Sequence, residues 1–195
     1  MRKWNLILIG TMSCSLLASL ARGQDTLTTP AVLPLPATKL ESVETNIGAV
    51  LIKGASEIGS VSANTGVVSV KCRVITDTTT GREERGLAID IGEKGLKDRM
   101  LIDYDEIAPL LKALDYLNKV DASATPLNAF DAVYSTKGGF RIAAMGARRT
   151  GSIQFSLRDA RVSMAPVQFS RDEMNRFWTL VEQAKKQLDT LGQKK

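Results

Sequence analysis

Apolar and polar residues alternate along most of the first half of the chain. Val50 and Ile52 alternate near Ile47, with Gly54 and Gly59 as punctuation. Val68, Val70, Cys72 and Val74 alternate with Ser69, Lys71 and Arg73. Leu87, Ile89 and Ile91 alternate with Ala88 and Asp90, and Met100 with Ile102 makes a shorter run. A period of two is what a strand with one buried face requires, so these segments predict four strands. The connections Asp77 to Gly81 and Glu93 to Gly95 carry the Thr, Gly and charge of turns. Cys72 falls on the apolar side, which predicts a buried thiol and not a reactive one. The period then changes. Ile107, Leu110, Leu111, Leu114 and Leu117 follow i, i+3, i+4, i+7 and i+10, one stripe of a helix that ends near Asn118-Lys119.

The second half repeats this order. Phe130, Ala132 and Tyr134 alternate, Lys137-Gly138-Gly139 reads as a hairpin turn, and Phe140, Ile142 and Ala144 form the return strand. Gly146 to Gly151 is a further turn holding Arg148 and Arg149. Ile153, Phe155 and Leu157 then alternate with Gln154, Ser156 and Arg158. After Asp159-Ala160 the pattern predicts a strand through Val162 and Met164. A long helix follows with Met174, Phe177, Trp178, Val181, Ala184 and Leu188 as its buried stripe. The fold class is therefore α+β, with duplicated β-β-β-β-α units, antiparallel sheets and two packed helices.

The two helix starts superimpose at an offset of 67 residues. Met100 and Ile102 lie over Val167 and Phe169. Ile107, Leu110, Leu111, Leu114 and Leu117 lie over Met174, Phe177, Trp178, Val181 and Ala184. The Asp105-Glu106 pair lies over Asp172-Glu173. Ser170 with Glu173 fits a capping box, and Asp103 with Glu106 reads as its acidic counterpart. Pro109 conflicts with a helix capped by Asp103, so the first helix is expected to begin at Asp105 or Glu106, or to kink.

The duplicated order of elements over Glu41 to Leu191 loosely resembles the Whirly-type fold of single-stranded-DNA-binding proteins. That resemblance is architectural and carries no binding residue across. The strings Glu41-Ser42-Val43-Glu44-Thr45, Ile102-Asp103-Tyr104-Asp105-Glu106-Ile107, Leu114-Asp115-Tyr116-Leu117 and Lys119-Val120-Asp121 resemble an uncharacterised family of exported bacterial proteins. This resemblance implies export and a shared fold, and no chemistry.

Residues 1–23 read as a signal peptide: Arg2 and Lys3, an apolar stretch from Leu6 to Leu20, then small residues before cleavage after Ala21 or Gly23. The apolar stretch falls short of the roughly 20 residues of a spanning helix, so no transmembrane anchor is expected after cleavage. Residues 24–40, with Pro30, Pro34 and Pro36, read as an extended linker. A single domain then covers 41–191, in halves 41–120 and 121–191. Export places the protein in the periplasm or outside the cell.

Export changes the charge picture. The chain carries 26 basic and 21 acidic residues, but Arg2, Lys3 and Arg22 fall in the signal segment, leaving 23 basic residues. Cys14 falls there too, so Cys72 has no partner for an internal disulfide. The remaining charge is uneven: net −3 over residues 24–120 and net +5 over residues 121–195. Arg141, Arg148, Arg149, Arg158 and Arg161 gather around the strands of the second half and form a candidate anion-binding surface. Phe140 and Phe155 alternate away from it, so stacking partners for bases are scarce.

With no histidine in the chain, His-based nucleophilic catalysis and the common zinc sites are excluded. Phosphate-binding, dinucleotide-binding and nucleophile-elbow motifs are absent from the sequence. No residue is assigned as catalytic, cofactor-binding or metal-ligating, and no cofactor is expected. The leading expectation is an exported, non-catalytic binding or interaction module, with an envelope protein or a polyanion as partner. The second is binding of single-stranded nucleic acid or another polyanion through the basic half, which export makes awkward. The third is a carboxylate-based hydrolase drawing on Asp90, Asp103, Asp105 and Glu106. Adjacent Asp105 and Glu106 cannot face each other across a substrate from one helix.

Overall fold

The period-two segments form two four-stranded antiparallel sheets, each a simple meander followed by a helix. The computed structural model describes residues 36–93, 96–163 and 165–193, all within one unit of the fold. Residues 1–35, on which the expected signal peptide and most of the expected linker fall, residues 94 and 95, and Met164 lie outside the described residues.

The first sheet runs β1 (Leu51–Ala63), β2 (Gly66–Asp77), β3 (Glu83–Glu93) and β4 (Leu96–Asp103), in that spatial order. Helix α2 (Tyr104–Lys119) follows directly. The second sheet runs β5 (Ala129–Ser135), β6 (Phe140–Ala147), β7 (Ser152–Asp159) and β8 (Val167–Phe169), and α3 (Arg171–Gln193) closes the described chain. The α+β class and the duplication read from the sequence are both present. One core joins the halves: Val70, Leu87, Ile89 and Met100 from the first sheet, Phe140, Ile142, Phe155 and Leu157 from the second, and the stripes of both helices. Phe177 of α3 sits at its centre, with ring centroids 5.8 Å from Phe140 and 6.1 Å from Phe169. The two helices run antiparallel, since Tyr104 bonds Asp189 while Asn118 bonds Asn175.

The halves also clasp each other reciprocally. The β1–β2 turn reaches β8, where the Thr65 hydroxyl accepts the Gln168 N–H at 2.7 Å. The β5–β6 turn reaches β4, where Gly138 lies so close to the Leu101 carbonyl that a Cβ would stand 1.9 Å from it. Leu101 and Gln168 are counterparts at the 67-residue offset. Each half therefore lays a hairpin tip on the same position of the other.

Four local expectations are corrected. The final described strand lies at Val167–Phe169, and Val162 is not in a strand. Asp159 accepts the Arg161 N–H and turns the chain, Val162 is exposed, and pairing resumes only after Pro166, which has no N–H to donate. The linker does not stay extended to Leu40. A helix α1 (Lys39–Glu44) begins there on a capping box, with the Thr38 hydroxyl accepting the Glu41 N–H at 3.0 Å and the Glu41 carboxylate accepting the Thr38 N–H at 3.2 Å. Leu40 and Val43 then bury themselves on Ile75, Ala88 and Leu101, on the face of the first sheet that looks away from the main core. Helix α2 begins at Tyr104 and carries Pro109 within it, so the later start does not occur. Finally, Asp103 makes no side-chain cap on α2. Its carboxylate accepts the backbone N–H groups of Lys39 and Leu40 in α1, while Glu106 accepts the Lys137 N–H of the β5–β6 turn at 2.9 Å. The Ser170–Glu173 box does form, with both reciprocal bonds in place.

Candidate functional site

The outward faces of the two sheets, related by the repeat, differ in what covers them. The first is occupied. Helix α1 lies on it, and beside α1 the buried Asp90 binds Lys71 at 3.0 Å and Arg99 at 2.7 Å. Glu44 bridges Lys53 and Arg73. The second face has no such helix among the described residues. Strand pairing sets what it presents: Asp131 and Val133 on β5, Arg141, Ala143 and Met145 on β6, and Gln154, Ser156 and Arg158 on β7. Small side chains in the middle leave a shallow hollow of about 210 Å³, bordered by Val133, Arg141, Met145, Ser156, Arg158 and Pro166.

The β6–β7 register places Arg141 directly opposite Arg158. Like charges opposite each other on neighbouring strands repel, and among the described residues neither arginine has an ion-pair partner. Met145 lies opposite Gln154, and Asp131 lies opposite Met145, four residue pairs away from the arginines along the strands. The face is therefore positive at one end, has a floor of small and uncharged side chains, and carries the Asp131 carboxylate toward its other end.

The five arginines picked from the sequence do not make one cluster. Arg141 and Arg158 are direct cross-strand neighbours. Arg148 and Arg149 sit in the turn at the other end of the same hairpin, ~23 Å away at a strand's rise per residue. Arg148 donates to the Pro126 carbonyl at 2.8 Å. Arg161 is enclosed by carboxylates, with Glu41 at 2.6 Å and Asp159 at 3.3 Å, and ties α1 to the second sheet. Sequence reading passed over Ser156, Ala143 and Pro166 as parts of the face. The signal for them was present: a turn confined to residues 148–151 fixes Arg141 against Arg158 and Ala143 against Ser156.

The carboxylates considered for acid–base chemistry all have structural partners. Asp90 is held by Lys71 and Arg99, Asp103 by α1, Asp105 by Lys39, and Glu106 by the β5–β6 turn. Among the described residues no group of His, Cys, Asp and Glu is arranged to hold a metal ion. A wider depression of about 490 Å³ lies against the exposed side of α2, around Lys112, Tyr116, Val120 and Ala124. Of its charged groups, Lys119 and Asp115 pair with each other and Asp121 accepts from Ser123.

Cys72 is buried beneath α3, its thiol directed at the Ala184 carbonyl at 3.5 Å, and burial pushes its pKa up to about 11. No helix among the described residues is long and apolar enough to cross a membrane. Compared with known proteins, the chain matches no family model, no curated protein and no solved structure. The fold and the open face of the second sheet are thus what define its class: a duplicated α+β body with a positively charged sheet surface.

Proposed function

We propose that the chain is an exported, non-catalytic binding module whose ligand surface is the outward face of the second sheet, and that the ligand is an extended polyanion. The observation that carries this reading is the directly opposed Arg141 and Arg158, which among the described residues have no ion-pair partner and lie on a sheet face that no helix covers. An anionic group lying between them would remove the repulsion and gain two charge-assisted hydrogen bonds. The floor of Ala143 and Ser156 suits a linear chain better than a globular partner, since it lets a backbone approach the sheet. Arg149, at the far end of the hairpin, supplies a second positive point along the same line. The face offers no exposed aromatic ring beside the arginines, which favours a sulfated or carboxylated polysaccharide over stacked bases.

The test is binding of heparin and of a single-stranded oligonucleotide, each titrated with salt. Binding should weaken as salt rises, and the Arg141→Ala/Arg158→Ala double variant should reduce the slope of log K against log salt by about 2. Absence of binding to either probe at low salt, or a double variant that binds as the parent does, overturns the reading.

A further inference from the structure

Strand β1 is the longest strand of the first sheet and forms one of its edges. Its free side can be read from one hydrogen bond. The Val50 carbonyl accepts the Thr78 N–H at 3.0 Å, so residue 50 turns its backbone polar groups toward β2. Backbone direction alternates along an antiparallel strand. Ile52, Gly54 and Ser56, paired with Thr76, Val74 and Cys72, therefore bond inward. Leu51, Lys53, Ala55 and Glu57 turn their N–H and C=O groups outward, with no strand beyond them in the sheet among the described residues. The stretch has no proline, and most of its residues are exposed.

We propose that two copies of this chain pair antiparallel through this edge about Ala55, joining their first sheets into one eight-stranded sheet. The charges choose the register. With the two-fold axis at Ala55, Lys53 of each copy lies opposite Glu57 of the other. Centring on Lys53 or on Glu57 would set like charges against each other, which is unfavourable. The same centring makes the outward-facing residues meet as hydrogen-bonded pairs, so every outward amide of Lys53, Ala55 and Glu57 finds a partner. Among the described residues of one chain Glu57 has no ion pair. Lys53 shares Glu44 with Arg73, so Glu44 keeps a partner when Lys53 turns to the second copy. The bulge between Glu57 and Gly59 ends the flat segment and limits the pairing to this stretch.

Apolar surface lies at the same place. A hollow of about 240 Å³ borders Gly54, Ala55, Ser56, Val74 and Leu191, beside the proposed axis. Leu191 in its lining is 43% exposed, and Ile52, two residues before Gly54 on β1, is 61% exposed. Pairing about Ala55 brings two such surfaces together on the same side of the joined sheet, because the axis stands perpendicular to it.

The molar mass of the full chain in solution, measured by light scattering across the micromolar range, tests this. The parent should show twice the mass of one chain. Ala55→Pro should be monomeric with an unchanged circular dichroism spectrum, because the Ala55 N–H is unused within the sheet. Lys53→Glu and Glu57→Lys should each weaken association at least about tenfold, and the two together should restore it. A parent that stays monomeric, a folded Ala55→Pro that stays dimeric, or a double reversal that fails to restore association overturns the proposal. Should Ala55→Pro not fold, the charge reversals decide.

Discussion

Asp103 closes β4, yet its carboxylate serves Leu40 and Lys39, more than sixty residues earlier. Oδ1 accepts the Leu40 N–H at 3.1 Å and Oδ2 accepts the Lys39 N–H at 2.8 Å. Two of the four unpaired N–H groups of the α1 start are satisfied in this way. Leu40 is thereby fixed against Ile75, Ala88 and Leu101, and α1 stays on the sheet. Asp103→Ala should cost about 2 kcal/mol, since it removes charge-assisted caps from a part-buried helix end. Urea denaturation measures this, and hydrogen exchange should quicken at Leu40 to Val43 before the rest of the chain. Asp105→Ala, which removes only an exposed pair with Lys39, should leave the denaturation midpoint unchanged.

Asp90 gives the fold an acid sensitivity that one substitution isolates. Its side chain is 2% exposed. Burial pushes its pKa up, but the hydrogen bonds and charges of Arg99 and Lys71 outweigh burial and hold it below the usual carboxylate range. A depressed folded pKa stabilises above the unfolded value, and that contribution disappears as pH falls through the folded one. The window therefore lies below about pH 4. Asp90→Asn should be less stable than the parent at neutral pH by about 2 kcal/mol. The difference should shrink as pH falls through that window. An equal difference at neutral pH and near pH 2 would refute the assignment.

What the sequence disclosed, and what it concealed, follows from how local each determinant is. Alternation around Val70, Ile89 and Phe155 needs only a two-residue period, and every one of these side chains is in the core. The Ser170–Glu173 box is a three-residue affair and forms as read. Asp103 and Glu106 have the same spacing but different roles, because each has a better partner from a distant segment: the α1 start for one, the β5–β6 turn for the other. Spacing cannot reveal a competitor that only tertiary structure delivers. The arginines behave likewise. Arg141 and Arg158 come together through a hairpin, a local device, whereas Arg161 is enclosed by Glu41 from the other end of the described chain. Helix α1 was missed because Pro34 and Pro36 dominated the reading of that stretch, although Thr38 and Glu41 already carried the capping signal.

Cys72 should report unfolding. With the thiol buried and its pKa near 11, the thiolate fraction at pH 8 is on the order of 0.1%. Alkylation by iodoacetamide, followed at the peptide containing Cys72, should be negligible in the folded protein and fast in denaturant. Leu188→Ala, which opens a cavity in the same helix-covered core, should raise the labelling rate by destabilising the fold by about 3 kcal/mol. Rapid labelling of Cys72 under native conditions would mean that α3 leaves the first sheet without global unfolding.

Arg158 separates stability from binding. If the Arg141–Arg158 pair is retained for a ligand, it is a cost to the isolated fold, since the two arginines are directly opposed across the strands and neither has an ion-pair partner among the described residues. Arg158→Glu converts the repulsive pair into an attractive one. It should raise stability by a few tenths to about 1 kcal/mol, the range of cross-strand charge pairs. The same change puts a carboxylate where the polyanion would sit, so heparin retention should fall further than in Arg158→Ala. Arg161→Ala should do the reverse, lowering stability by leaving the buried Asp159 carboxylate without its counter-charge while sparing retention. Thermal denaturation and a heparin salt gradient, run on these variants, read the two quantities independently. Loss of stability in Arg158→Glu would show that the arginine pair supports the fold. Unchanged retention in that variant would show that the ligand lies elsewhere.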